Sequence, residues 1–242
     1  MKTHVSNMAA KQVARRTILK AGAAVLFSVW LPVRLARTEP KQGLEIQDLI
    51  DAAERLNRLY LSGGNVNESS YLHEMASVAC RLGPVPEIEL GPPFRDLMTV
   101  GMQHRGPGLA LIEWRMKANT IYPAHNHPNY CGFTVGLEGS CRMRNFQAPE
   151  LYPSTESTES FTVRETQNEV LIPGSVSSMM SSTRNNIHKL HAGETAVRGL
   201  DISTLVGEHV GFGFMEINEG SRNENGEYEA VWEKVYGGYQ AG

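Results

Sequence analysis

Cysteine is scarce: three residues in 242, Cys80, Cys131 and Cys141, with no Cys-x-x-Cys pair. The odd count excludes a disulfide framework as the main support of the fold, and the spacing excludes a zinc ribbon or finger. No apolar run reaches the eighteen or more residues of a multi-spanning membrane protein. No basic stripe crosses the acidic body of the chain, which argues against a nucleic-acid partner. No internal repeat is present.

Acidic residues are absent from Met1 to Thr38, where seven Lys and Arg contribute +7 to a formal net charge of −3, so the remainder carries −10. Within this segment Arg15-Arg16-Thr17-Ile18-Leu19-Lys20 precedes an apolar stretch from Ala21 to Leu31, broken only by Gly22 and Ser28. Basic flank, apolar core and absence of acid together resemble a twin-arginine export signal. That resemblance implies a periplasmic location and translocation of an already folded, often metal-loaded, protein. Ala36-Arg37-Thr38 is a loose cleavage site, so the segment is either removed or kept as a membrane anchor, the sole membrane contact expected.

The expected organisation is a signal segment over 1–38, a helical region over 39–95 and a β barrel over 96–242. Ile46, Leu49, Ile50, Ala53, Leu56 and Leu59 recur at helical spacing until Ser62-Gly63-Gly64 stops them, and a second helix is expected from about Ser69 to Leu82, ahead of Gly83-Pro84. Both are expected to be framework without a chemical role. From about Asp96 the pattern becomes short runs rich in Val, Ile, Leu, Phe and Thr between turn formers such as Gly106-Pro107-Gly108, Pro173-Gly174 and Asn225-Gly226. About eight strands are expected, at 109–114, 131–136, 140–146, 161–165, 170–172, 187–190, 197–206 and 212–217, the number of a double-sheet jelly roll. Ser154 to Ser160 reads as a solvated loop.

The chemistry concentrates in Tyr122-Pro123-Ala124-His125-Asn126-His127-Pro128 and the following run to Leu137-Glu138-Gly139. On a strand, His125 and His127 project from the same face and can reach one ion together. The turn at Gly139 is expected to return the chain as a hairpin, with Thr134 opposite Cys141. That register keeps Cys131 and Cys141 from bridging, so both are expected as free thiols.

With Gly139 as its turn glycine, this stretch resembles the first motif of the cupin superfamily, His-x-His followed by a Glu ligand and then a Gly. Gly132 stands where the Glu would be. A cupin without that carboxylate resembles the thiol dioxygenases, which hold iron through three histidines, and the sequence sides with the branches that lack a cysteine–tyrosine cross-link. Asn186-Ile187-His188 is similar to the element that supplies the third ligand in the aminothiol branch, and Val197 to Ile202 is similar to the strand after it, where an aspartate sits near the pocket. The resemblance spans Leu109 to Val206. It implies a mainly β double-stranded β-helix, Fe(II) on His125, His127 and His188, Asp201 beside the pocket, and a small thiol or thiol-bearing peptide oxidised by O2 to a sulfinate. Tyr122 and Tyr130 flank the histidine pair and are candidates to hydrogen-bond bound oxygen.

Three neutral imidazoles leave the 2+ charge of the ion uncompensated, which favours an anionic soft ligand such as a thiolate. Imidazole also suits zinc, copper and nickel, so a metal-dependent lyase or isomerase and a non-catalytic periplasmic binding protein are the competing readings. His191 is expected on the opposite side from His188, Arg142 and Arg144 are expected to face solvent, and His73, His104 and His209 fall in no ligand grouping.

Overall fold

A computed structural model describes residues 43–63, 66–148, 154–208 and 212–233. The export segment and His209 lie outside them. The two expected helices form, as α1 (Ile46–Leu61) and α2 (Glu68–Ala79). Asn67 caps α2 by accepting the Ser70 amide at 2.9 Å, satisfying one of the amide groups a helix start leaves open.

The rest is mainly β. A five-stranded sheet runs in the order β1 (Met98–Gly106), β2 (Leu109–Met116), β9 (Val197–Leu205), β4 (Tyr130–Glu138), β7 (Val176–Met180). The second sheet runs β10 (Phe214–Asn218), β11 (Glu227–Trp232), β6 (Phe161–Leu171), β5 (Cys141–Gln147), β8 (Ile187–Ala192), β3 (Ile121–Asn126), and closes where β3 pairs back with β10. Every pairing between these strands is antiparallel. This is the expected double-stranded β-helix preceded by two helices, and closure leaves the second sheet without a free edge.

Alternation along the strands decides which side chains meet. Leu111, Phe133, Val135, Leu200 and Ile202 bury one face of the five-stranded sheet against Leu49, Ala53, Leu72 and Met75 of the helices. Trp114, Met116, Tyr122, Cys141, Met143, Leu190 and Phe214 form a separate cluster, drawn from both sheets.

Several expectations need correction. The two expected strands at 161–165 and 170–172 are one continuous β6, and β1, β3, β7 and β11 were not counted. The hairpin drawn through Gly139 does not form. At φ +65°, with the Ala196 carbonyl filling the space a Cβ would need, Gly139 carries the chain from one sheet to the other. Thr134 therefore faces Asp201 and Ser177, while Cys141 faces Leu171 and Ala192. Cys131 and Cys141 are free, as expected, but because they lie in different sheets and different clusters; Cys80 is free as well.

One buried ion pair holds the segment after α2 against the barrel. Arg198 Nε and Nη2 donate to Glu113 at 2.7 and 2.9 Å, and Nη2 also reaches the carbonyls of Val85 and Pro86. Burial pushes the Glu113 pKa up, but donors from Arg198, Gln103 and Arg115 outweigh it and hold the carboxyl below its usual range. Glu113→Ala would leave a buried guanidinium without its main partner, and a loss of about 3–5 kcal/mol is expected in urea unfolding.

Candidate metal centre

Three imidazoles meet inside the barrel. His125 comes from β3, His188 lies opposite it on β8, and His127 follows directly after β3. His127 is thus not placed by strand alternation, because the strand ends at Asn126. Its amide instead donates to the Asn186 carbonyl at 2.7 Å, tying it to the segment that carries His188. The expected convergence holds: His188 Nε2 lies 3.0 Å from His125 Nε2 and 3.1 Å from His127 Nε2. The three form the one group of His, Cys, Asp or Glu side chains among the described residues whose geometry could hold a metal ion.

The donor set fits an ion. Burial lowers the pKa of His125 to about 4 and those of His127 and His188 well below the usual value, so all three rings are neutral. Pro123 O can only accept, so the 3.0 Å contact to His125 Nδ1 puts the ring proton there and leaves Nε2 a lone pair. At a metal–nitrogen distance of about 2.1 Å, adjacent octahedral ligands stand about 3.0 Å apart and tetrahedral ones about 3.4 Å. The two spacings from His188 Nε2 lie in the range of adjacent ligands on one ion, and all three ligand atoms fall within 4.8 Å of one another.

Among the described residues no carboxylate joins the group, and Gly132 has no room for a side chain. A Cβ there would overlap the Ile202 carbonyl oxygen of the neighbouring strand β9. The position admits hydrogen alone.

Tyr122 stands edge-on to His125, ring centres 5.1 Å apart, and burial raises its phenol pKa, so it is a proton donor rather than a phenolate. Asp201 lies on the five-stranded sheet, where Oδ1 accepts from Thr134 Oγ1 at 2.6 Å and Trp114 Nε1 at 3.0 Å. Burial raises its pKa to about 6 in spite of those two donors, and its charge is among those acting on Tyr122. Tyr130 opens β4, half-buried, its amide donating to the His127 carbonyl at 3.2 Å. His191 is exposed opposite Ile121 and Arg142, and His104 pairs with Glu54 at 3.0 Å. Arg142 is exposed, and Arg144 binds Glu165 and Glu219.

Two aromatic residues had no expected role in the site. Phe214, buried, lies 5.4 Å from the His125 ring, and Phe212, 37% exposed, stacks over His127 at 6.3 Å. Their i, i+2 spacing in Phe212-Gly213-Phe214 was the available signal. Helix α2 contributes as framework. Glu68 in α2 accepts from the Ser182 amide at 3.1 Å and from its hydroxyl, bracing the loop that leads into β8 and His188.

No family model matches the chain, and no curated protein matches it. Solved structures with a similar fold include KdgF from Halomonas sp., at 10% identity over 49% of this chain and 86% of that one, TM-score 0.36. An uncharacterized conserved protein with a double-stranded β-helix domain from Klebsiella pneumoniae matches at 10% identity over 51% of this chain and 88% of that one, TM-score 0.36. Recombinant oxalate oxidase in complex with glycolate matches at 13% identity over 52% and 59%, TM-score 0.37. At these identities and scores the likenesses assign no chemistry to the site.

Proposed function

We propose that the protein is an exported, iron-dependent dioxygenase that oxidises a small thiol or thiol-bearing peptide to a sulfinate. The observation that carries this reading is a three-imidazole group with no acidic member among the described residues, while Gly132, where the resembling motif would carry its Glu, has no room for a side chain. Fe(II) on neutral ligands would keep its full 2+ charge, favour a thiol bound as thiolate, and supply with O2 the conversion RSH + O2 → RSO2− + H+. His125, His127 and His188 would hold the ion. Phe212 and Phe214 keep water from the ring cluster, which protects a reactive site from competing ligands. Tyr122 keeps its proton at neutral pH and is the candidate donor to an oxygen atom; Tyr130 is the second such candidate, and Asp201 supports Tyr122 from the facing sheet.

Anaerobic loading with Fe(II), followed by oxygen uptake against a panel of thiols, tests the proposal. One O2 consumed per thiol, with a mass gain of two oxygen atoms in the product, is expected. Tight metal binding with no oxygen uptake from any thiol would transfer the site to a lyase, an isomerase or a binding protein.

Export by the twin-arginine route rests on Arg15 and Arg16. Replacing both by lysine is expected to leave the full-length chain in the cytoplasmic fraction, and unchanged periplasmic recovery would refute this route.

A further inference from the structure

Among the described non-glycine residues with left-handed backbone, Ser178 stands apart. Three are asparagines and one is an aspartate, types that tolerate the conformation, and Arg95 lies in an exposed turn. Ser178, at φ +55°, is a fully buried residue inside a strand.

The pairing of β4 with β7 shows how it arises. Gly132 faces Met180 and Thr134 faces Ser177, so Phe133 alone on β4 stands opposite Ser178 and Met179 on β7. This is a β-bulge whose first residue is left-handed, a place that glycine ordinarily fills. Bulges of this kind re-aim a side chain, and here Ser178 Oγ comes 2.8 Å from Nδ1 of His188, with both residues buried. The opposite nitrogen of that ring, Nε2, is the one the other two histidines share.

We propose that Ser178 is a positioning residue for the metal centre: its hydroxyl oxygen accepts the Nδ1–H of His188, which fixes the ring's rotation and keeps the Nε2 lone pair directed at the ion. This rests on the three-histidine metal reading above. Pro123 O does for His125 what Ser178 does for His188, so two ligands are each oriented by an acceptor, one from backbone and one from a side chain. A serine in a glycine position is then explained by the hydroxyl, since glycine would suit the backbone better and leave Nδ1 without its acceptor.

Ser178→Gly separates the two roles, because it removes the hydroxyl while relieving the backbone. Fe(II) affinity, measured anaerobically by competition with a chromophoric chelator, is expected to fall about 10–100-fold. The metal-free variant is expected to melt no lower than the metal-free parent. In the Zn(II)-loaded parent, the His188 Nδ1–H should appear by NMR as a slowly exchanging imidazole proton, a test that needs no variant to fold. Unchanged affinity in Ser178→Gly, or a freely exchanging Nδ1–H, overturns the role of Ser178 while the metal reading stands. A parent protein that binds neither ion overturns both.

Discussion

His188→Ala is expected to empty the site of iron and abolish thiol oxidation while the barrel stays folded. His188 Nε2 lies 3.0 Å from His125 Nε2 and 3.1 Å from His127 Nε2, so removing it leaves two ligands without the third that sits between them. The loss should exceed the roughly 10–100-fold in affinity that removing a supporting hydrogen bond costs a metal site. The ring lies between β7 and β8 and is not part of the apolar clusters, so circular dichroism should show native strand content. His191→Ala, on the same strand but exposed, is the control, with iron content and turnover unchanged. Unaltered iron in His188→Ala would remove it as a ligand.

Gly132→Ala is expected to destabilise the protein at the upper end for an added methyl group, about 3 kcal/mol. Side chains can rotate away from an extra carbon, but the obstacle here is the Ile202 carbonyl and the Ser203 Cα of a paired strand. Urea unfolding of the metal-free protein measures this directly. A normal midpoint would mean that position 132 has room for a side chain. Gly132→Glu should fare worse still, and should not gain a fourth ligand.

Much of the site was legible from short motifs and periodicity, although His127 lies past the end of the strand whose alternation was expected to align it with His125. The histidine triad could be read from His-x-His, the Asn-Ile-His element and a glycine at the turn, and both helices from apolar periodicity that ends at Ser62-Gly63 and before Gly83. What escaped was set by non-local pairing. Gly139 looks the same in sequence whether it folds a hairpin or sends the chain to the other sheet, and the sequence reading took the hairpin. Ser178 lies in Val176-Ser177-Ser178-Met179-Met180, where nothing marks one serine as bulged, because a bulge is a relation to the partner strand. Strands β1 and β11 carry too many polar residues to stand out as apolar runs, and become strands through β2 and β10.

The separation of the ligands along the chain has a further consequence. His127 and His188 are 61 residues apart, and His125 and His188 are 63. A denatured polypeptide offers only the adjacent pair, a weak chelator, so an ion discriminates sharply between the closed barrel and every open form. At one hundred times its dissociation constant it would add about 2.7 kcal/mol to the native state. Metal supply would then govern how long the molecule survives as well as whether it turns over.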